Sequence, residues 1–275
     1  MVRDLSSLSP PVLFFGSVLV VFAVTVGLSW FVHRVVPADR RQTTGNTAAA
    51  YMTALGSLFA ILTGFLINAE YQNLRDAETL VSNEAAAATR LAYATEGLPS
   101  SDVSVVQDSL TQYLGAVDEY EWPAMSSGNA ERSRAFEPLG KLQSDVFEIA
   151  SRSYAPDASV EGMRTGVGDL TSFRRERIAR SNEFLPVGLI ALAILSGIAL
   201  IANSIVVTLR SKSSGRLDLI VSFGIALIVA LDLALVIGLG APFLGPFQAS
   251  GEPIGELRDE MAQGQYLPWT RGVLR

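Results

Sequence analysis

Cysteine is absent from this 275-residue chain, and histidine occurs once, as His33. The first absence removes disulfide frameworks, thiolate nucleophiles and Cys-built zinc or iron–sulfur sites. The second removes most His-built metal sites and any triad that needs a spare imidazole. Lysine is nearly missing as well, since Lys141 and Lys212 are the two lysines among 21 basic residues. That arginine bias is a compositional mark of a GC-rich bacterial genome. Charge as a whole is scarce, at 17% of the chain against about 25% in a soluble domain. The net charge of −6 gives no basic field, so no nucleic-acid partner is expected. No Gly-rich phosphate loop, H-E-x-x-H pair or nucleophile elbow occurs. The chain reads as a non-enzyme with no catalytic residues, no metal site and no cofactor.

What the chain does have is long apolar runs. Residues 11–32, 42–69 and 184–209 carry no charge, and 217–240 carries only Asp218 and Asp232. A bilayer core takes about 20 apolar helical residues. These runs predict four transmembrane helices, near 11–34, 48–69, 185–209 and 217–240. The first is too long for a signal peptide and lacks an A-x-A-like cleavage site. Trp30 fits an interfacial anchor at its end, and His33, Arg34, Arg40 and Arg41 follow.

Residues 70–183 differ sharply, with 19 acidic and 11 basic side chains and a local charge of −8. Their apolar residues recur at helical steps. One stripe is Val103, Val106, Leu110, Tyr113/Leu114 and Val117. A second is Phe136, Leu139, Leu142, Val146 and Ile149, and a third is Val160, Met163, Val167, Leu170 and Phe173. Gly97-Leu98-Pro99-Ser100-Ser101 reads as the end of one helix with a serine cap for the next, Asp157 as an N-cap, and Trp122-Pro123 as a helix stop. No breaker lies between Leu62 and Glu96 apart from Gly64, so span two is expected to run on as one helix. The helix from Asp157 is expected to approach span three in the same way. The fold class is therefore all-α, a four-span membrane protein with a helical bundle inserted between spans 2 and 3. The expected organisation is 1–69 for the first two spans, 70–183 for the acidic extramembrane domain, 184–240 for the last two spans and 241–275 for a C-terminal tail.

Several local patterns, in order, carry a resemblance. They are Leu58 to Ile67, Glu84-Ala85-Ala86-Ala87-Ala88, Leu98-Pro99, Tyr113, and Glu121-Trp122-Pro123. Arg174 to Arg180 then leads into Leu185-Pro186, followed by Pro242 to Phe247 and Ser250 to Pro253. From about Ala48 to Glu256 the chain resembles the bestrophin-like domain family of bacterial membrane proteins, a family of unknown function. It departs from that pattern at Leu239-Gly240-Ala241-Pro242-Phe243, where the family typically has a charged Asp-Arg pair. A more distant likeness is to bestrophins. It implies a homo-pentameric anion channel with a pore lined by the second span. It also implies a multi-pass protein of the cell inner membrane, with residues 70–183 in the cytoplasm. Charge alone does not orient the chain. Arg34, Arg40, Arg41, Arg210, Lys212 and Arg216 in the short loops oppose Arg75, Arg174, Arg175, Arg177 and Arg180 in the long one.

Candidate functional residues follow from the spans. On span two, Leu58, Leu62 and Phe65 share a face, and a ring of them would form a hydrophobic constriction able to gate by dewetting. Thr63 and Asn68 are further pore-lining candidates. Gly56, Ala60 and Gly64 form a small-xxx-small stripe suited to helix packing. Phe59 and Phe65 lie six positions apart, so they do not stack as a simple aromatic neck. Asp232 is an ionisable group within the last span, to be partnered by Ser196, Ser57 or Thr63 or placed in a watery cavity. Asn203 and Ser204 would hydrogen-bond across helices. Arg174, Arg175, Arg177 and Arg180 are candidates for binding lipid headgroups. Glu119 and Glu121 would bind a cation or, more commonly, lie on a solvated face.

The reading that combines these features is an oligomeric bestrophin-like ion channel, anion-conducting, with the lipid bilayer and inorganic ions as partners. Two others stay open. One is a non-conducting scaffold or sensor whose acidic domain binds a protein. The other is a small proton-coupled transporter using Asp232.

Overall fold

The computed structural model describes residues 9–37, 39–127, 135–183, 185–209 and 215–264, without the side chains of 215–219. The basic loop residues Arg210, Lys212 and Arg216, and Asp218, lie outside what is described. Every regular element among the described residues is helical. In chain order they are α1 (Pro10–Val35), α2 (Arg41–Ala94), α3 (Ser100–Ala116), a π-helical turn (Val117–Glu121), α4 (Trp122–Ser126), α5 (Phe136–Ala150), α6 (Asp157–Ser181), α7 (Val187–Thr208), α8 (Gly215–Leu239) and α9 (Glu252–Ala262). They group into two compact units. One is Met1–Gln72, Phe184–Ala241 and Gly245–Phe247. The other is Asn73–Glu183, Pro242–Leu244 and Gln248–Arg275.

The first unit holds α1, the first part of α2, α7 and α8. Four helices are long and apolar enough to cross a membrane: Pro10–Val35, Arg41–Ala94, Val187–Thr208 and Ile220–Leu239. Prolines open α1, where the missing N–H has no intrahelical partner to lose. The helices pack through Phe59, Ile201, Ile205, Ala226 and Val229, and through Leu66, Ile190, Ala193 and Val236. The helices approach closely at Gly197, where a Cβ would stand 2.8 Å from a Val229 methyl and 3.3 Å from the Phe59 ring. Asn203 donates to the Ala48 carbonyl on α2 at 3.0 Å, a bond across helices. Ser204 instead donates within its own helix, to the Ile201 carbonyl. Phe15 and Leu19 are 76% and 72% exposed, as side chains facing a bilayer would be.

The second unit is built on the predicted stripes. Val103, Val106, Leu110, Tyr113, Leu114 and Val117 are buried, as are Leu139, Leu142, Val146, Ile149, Met163, Val167 and Leu170. Phe136 departs from its stripe and is 72% exposed. Span two does run on unbroken, as the 54 residues of α2. The helix from Asp157 does not reach span three. It ends at Ser181, and α7 starts at Val187 after Pro186, because the residue before a proline is pushed out of helical geometry. Ser100, Ser101 and Asp157 are helical residues rather than caps, with Pro99 and Pro156 at the N-cap. Asp157 still favours the helix by placing a negative charge in its first turn. Trp122-Pro123 does not stop its helix either. The π-helical turn breaks the regular ladder at that point, so Pro123 sits where its missing N–H is tolerated.

Against α2, α6 packs through Gly162 and Gly166. A Cβ on Gly166 would stand 3.0 Å from the Leu91 Cβ and 3.1 Å from its Cα, which is backbone and has little room to move. Gly166→Leu is expected to lower stability by about 1–3 kcal/mol through overpacking, outweighing the gain in helix propensity of under about 1 kcal/mol. Thermal unfolding of the purified protein checks this, and an unchanged midpoint would refute it.

Part of the expected C-terminal tail is helical, as α9 (Glu252–Ala262). In α9, Ile254 and Leu257 are buried. Arg258 pairs with Asp118 on the π-helical turn. Trp122 packs edge-on against Phe243 and lies against Gly251, where a Cβ would come within 2.8 Å of the indole.

Candidate functional site

At about 100° per residue, α2 divides lengthwise. Phe59, Thr63 and Leu66 are buried, with Met52, Leu55, Leu62 and Ile67 partly so. The opposite half has no partner among the described residues of the unit. It carries Leu58 (56% exposed), Ile61 (60%) and Phe65 (73%) on one flank. Gly64, Ala60 and Thr53 lie on the other flank, with Ser57 and Asn68 between. The sequence-derived candidates therefore separate. Leu58, Phe65 and Asn68 are exposed. Leu62 is packed against the Leu66–Leu185–Ile190 cluster at the edge of the buried half. Thr63 faces inward and donates to the Phe59 carbonyl at 2.9 Å, which removes it from the candidate pore face. In the stripe of small residues, a Cβ on Gly56 or Gly64 would meet nothing within 4 Å. Inside the unit, Gly197 and Gly238 make close helix contacts instead.

Asp232, half-buried on α8, has Thr63 beside it. Of the partners considered for it, Thr63 is the one in place. The Ser196 hydroxyl donates to the Ala193 carbonyl in its own helix. The Asp232 carboxylate thus meets the buried side of α2, away from the exposed half.

The arginines assigned to lipid headgroups also separate. Arg175 is exposed, and Arg180 donates to Asp76 at 3.4 Å. Arg174 and Arg177 are buried and bound to carboxylates, so neither is presented to a headgroup. They belong to a charge cluster inside the helical unit. Arg177 donates through Nε to Glu84 Oε2 at 2.6 Å and through Nη2 to Glu84 Oε1 at 3.1 Å and Glu121 Oε1 at 2.6 Å. Arg174 donates to Glu121 Oε2 at 3.1 and 2.7 Å. Tyr113 donates its hydroxyl to Glu84 Oε1 at 2.6 Å. The Trp122 ring lies 5.6 Å from the Arg177 guanidinium carbon, within cation–π range.

Two carboxylates and two guanidinium groups balance in this cluster. Burial opposes the charge on Arg177, but Glu84 and then Glu121 outweigh it and raise its pKa. Burial, with the Glu84 carboxylate beside it, pushes the Tyr113 hydroxyl well above its ordinary range. Glu84 and Glu121 have no exposed surface, and their oxygens are held by arginine and tyrosine. The cluster is a structural lock rather than an ion site. Glu121 is accordingly neither a cation ligand nor solvated, whereas Glu119 is exposed. Among the described residues no group of three His, Cys, Asp or Glu is arranged to hold a metal ion.

The sequence did contain a signal for this cluster. Arg174 and Arg177 continue the buried stripe Val167–Leu170, and Glu84 continues Ala77–Leu80–Val81 towards Ala87, Ala88 and Leu91. A charged residue at a core position of a helical stripe marks a buried pair. Glu84, Tyr113, Glu121 and Arg174 to Arg177 are also the residues through which the sequence resembles its family.

The model of the Bestrophin-like domain family matches residues 19–254, most of the chain. The chain belongs to that family. A comparison with curated proteins finds no match. Among solved structures, this member is similar to crystal structures of a bacterial bestrophin homologue from Klebsiella pneumoniae. One variant of that homologue superposes with a TM-score of 0.66 at 13% identity, covering 91% of this chain and 98% of that one. A second gives a TM-score of 0.68 at 12% identity, covering 91% and 97%. At such identity the likeness establishes the bestrophin fold.

Proposed function

We propose that this bestrophin-like protein is an ion-channel subunit that assembles as a homo-oligomer around a pore lined by α2. The observation that carries this reading is the unpartnered half of α2. Thr53, Ser57 and Asn68 are exposed there, and hydrogen-bonding side chains in a membrane helix turn to protein or water rather than to lipid. Assembly about a central axis gives each part of that half a role. Gly64 and Ala60 allow a neighbouring subunit close approach. Leu58, Ile61 and Phe65 form the narrow apolar stretch, and Asn68 and Ser57 add polar groups along the path.

Anion conduction is the favoured selectivity. The likeness to bestrophins supports it, and Asp232 lies beside Thr63 rather than on the exposed half of α2. The same likeness supports a pentamer in the bacterial inner membrane with the helical unit in the cytoplasm. Reconstituted in liposomes under an imposed voltage, the protein is expected to pass chloride in preference to potassium. Intact oligomers that pass neither ion would refute the channel. Orientation is testable separately because the chain has no native cysteine. A single cysteine replacing exposed Ser104 is expected to stay unlabelled by an impermeant maleimide in whole spheroplasts and to label after lysis. Labelling before lysis would place the helical unit outside.

A further inference from the structure

Among the described residues, the uncovered half of α2 extends past Asn68. At about 100° per residue, Arg75 falls at the same angle as Ser57 and within about 20° of Asn68. Gln72, Arg75, Thr79 and Ser82 are exposed, as Ser57 and Asn68 are. Thr79 and Ser82 donate their hydroxyls to carbonyls of α2 itself, at 2.9 and 3.1 Å.

Charge enters this line at one point. Between Thr53 and Gln72, Glu70 is the one charged residue of α2, and it is 4% exposed on the packed side. Arg75 is therefore the first charge along the exposed half beyond Asn68. Its guanidinium is held loosely. Glu78 Oε2 stands 3.9 Å away, and the two side chains are 62% and 45% exposed. An exposed pair of that length is weak. The adjacent carboxylate, Asp76, lies about 100° further round the helix and accepts from Arg180.

We propose that Arg75 sets the ion selectivity, as a ring of guanidinium groups that gathers anions and turns cations away. This rests on the channel reading above and names the residue that decides which ion passes. A ring of arginines favours anions because its summed positive potential raises the local anion concentration and lowers that of cations. Asn68 is about 10 Å from Arg75 along the axis, and Phe65 about 15 Å. At about 0.1 M salt the Debye length is about 10 Å. The potential of the ring thus reaches the polar end of the path and fades at the apolar stretch. Two tasks then fall to two parts of one helix. Leu58, Ile61 and Phe65 set how readily any ion passes, and Arg75 sets its sign.

The test compares chloride and potassium flux through the full chain in liposomes, under an imposed voltage at about 0.1 M salt. Arg75→Gln is expected to cut the chloride-to-potassium ratio about tenfold, the low end of what focused charge does to local ion concentration. Arg75→Glu is expected to reverse the preference, and Arg75→Lys to keep it. The chain has no native cysteine, so Arg75→Cys takes a thiol reagent at that position alone. A methanethiosulfonate carrying trimethylammonium is expected to restore the ratio, and one carrying a sulfonate to lower it further. Arg75→Cys before and after modification is one folded preparation, so the comparison does not depend on Arg75→Gln assembling. Unaltered protein that prefers chloride, beside an Arg75→Gln variant with the same ratio, would overturn this proposal and leave the channel standing. The same effect from both reagents would overturn it too, since bulk rather than charge would then be acting. Unaltered protein that prefers potassium would also sink it. Intact oligomers that pass neither ion would refute the channel itself, and the selectivity with it.

Discussion

Arg177→Ala is expected to lower stability by about 3–5 kcal/mol, the cost of leaving buried charge without its partner. That is a large share of the roughly 5–15 kcal/mol that holds a domain together. Two carboxylates depend on this one guanidinium. Glu84 loses two bonds and keeps the one from Tyr113, and Glu121 keeps those from Arg174. Neither carboxylate has solvent contact to compensate. The pair Glu84→Gln with Arg177→Met removes one charge of each sign and keeps an acceptor for the Tyr113 hydroxyl. It is expected to recover about 1–3 kcal/mol relative to the sum of the single changes, as a directly coupled pair should. Tyr113→Phe removes one hydrogen bond to a carboxylate and is expected to cost about 1.5–3 kcal/mol. Unfolding followed by tryptophan fluorescence checks the series, since Trp122 lies against Arg177. A loss under about 1 kcal/mol for Arg177→Ala would contradict the lock.

Leu58→Ser combined with Phe65→Ser is expected to raise chloride flux on the order of tenfold. In the proposed assembly these side chains make the apolar constriction, and water leaves a narrow apolar stretch easily. A hydroxyl on every subunit keeps that stretch wet. Removing about 1.4 kcal/mol from the barrier to passage corresponds to that tenfold change. Neither residue contributes to the packing within its own unit, being 56% and 73% exposed, so the fold should tolerate both changes. Flux from vesicles holding equal amounts of assembled protein is the measurement. Unchanged flux through assembled oligomers would place the constriction elsewhere. Leu62→Ser is the contrasting case. It sits at the packed edge of α2 and is expected to destabilise the unit rather than open a path.

The sequence by itself determined the spans, the helical class and the core stripes. Apolar runs of bilayer length have no other economical solution than a membrane helix. Helical steps such as Val103–Val106–Leu110–Tyr113 fix which side is buried before any partner is known. The unbroken α2 was equally legible, because no proline interrupts Leu62 to Glu96. The tertiary structure decided how polar and charged residues are used. Arg174 and Arg177 have the composition of a topology signal, and the presence of Glu84 and Glu121 made them a buried lock. Those partners lie 93 and 53 to 56 positions away in the chain, and local periodicity carries no information about which distant stripes meet. The π-helical turn was hidden for a related reason. One extra residue rotates Glu121 into the core register after Val117, and its stabilisation comes from the arginines it meets rather than from the local sequence. Thr63 and Leu62 moved off the candidate pore face because Asp232 and the Leu185–Ile190 cluster hold that side of α2. A helical wheel specifies angles about an axis, and only the packed neighbours specify which angle is inside.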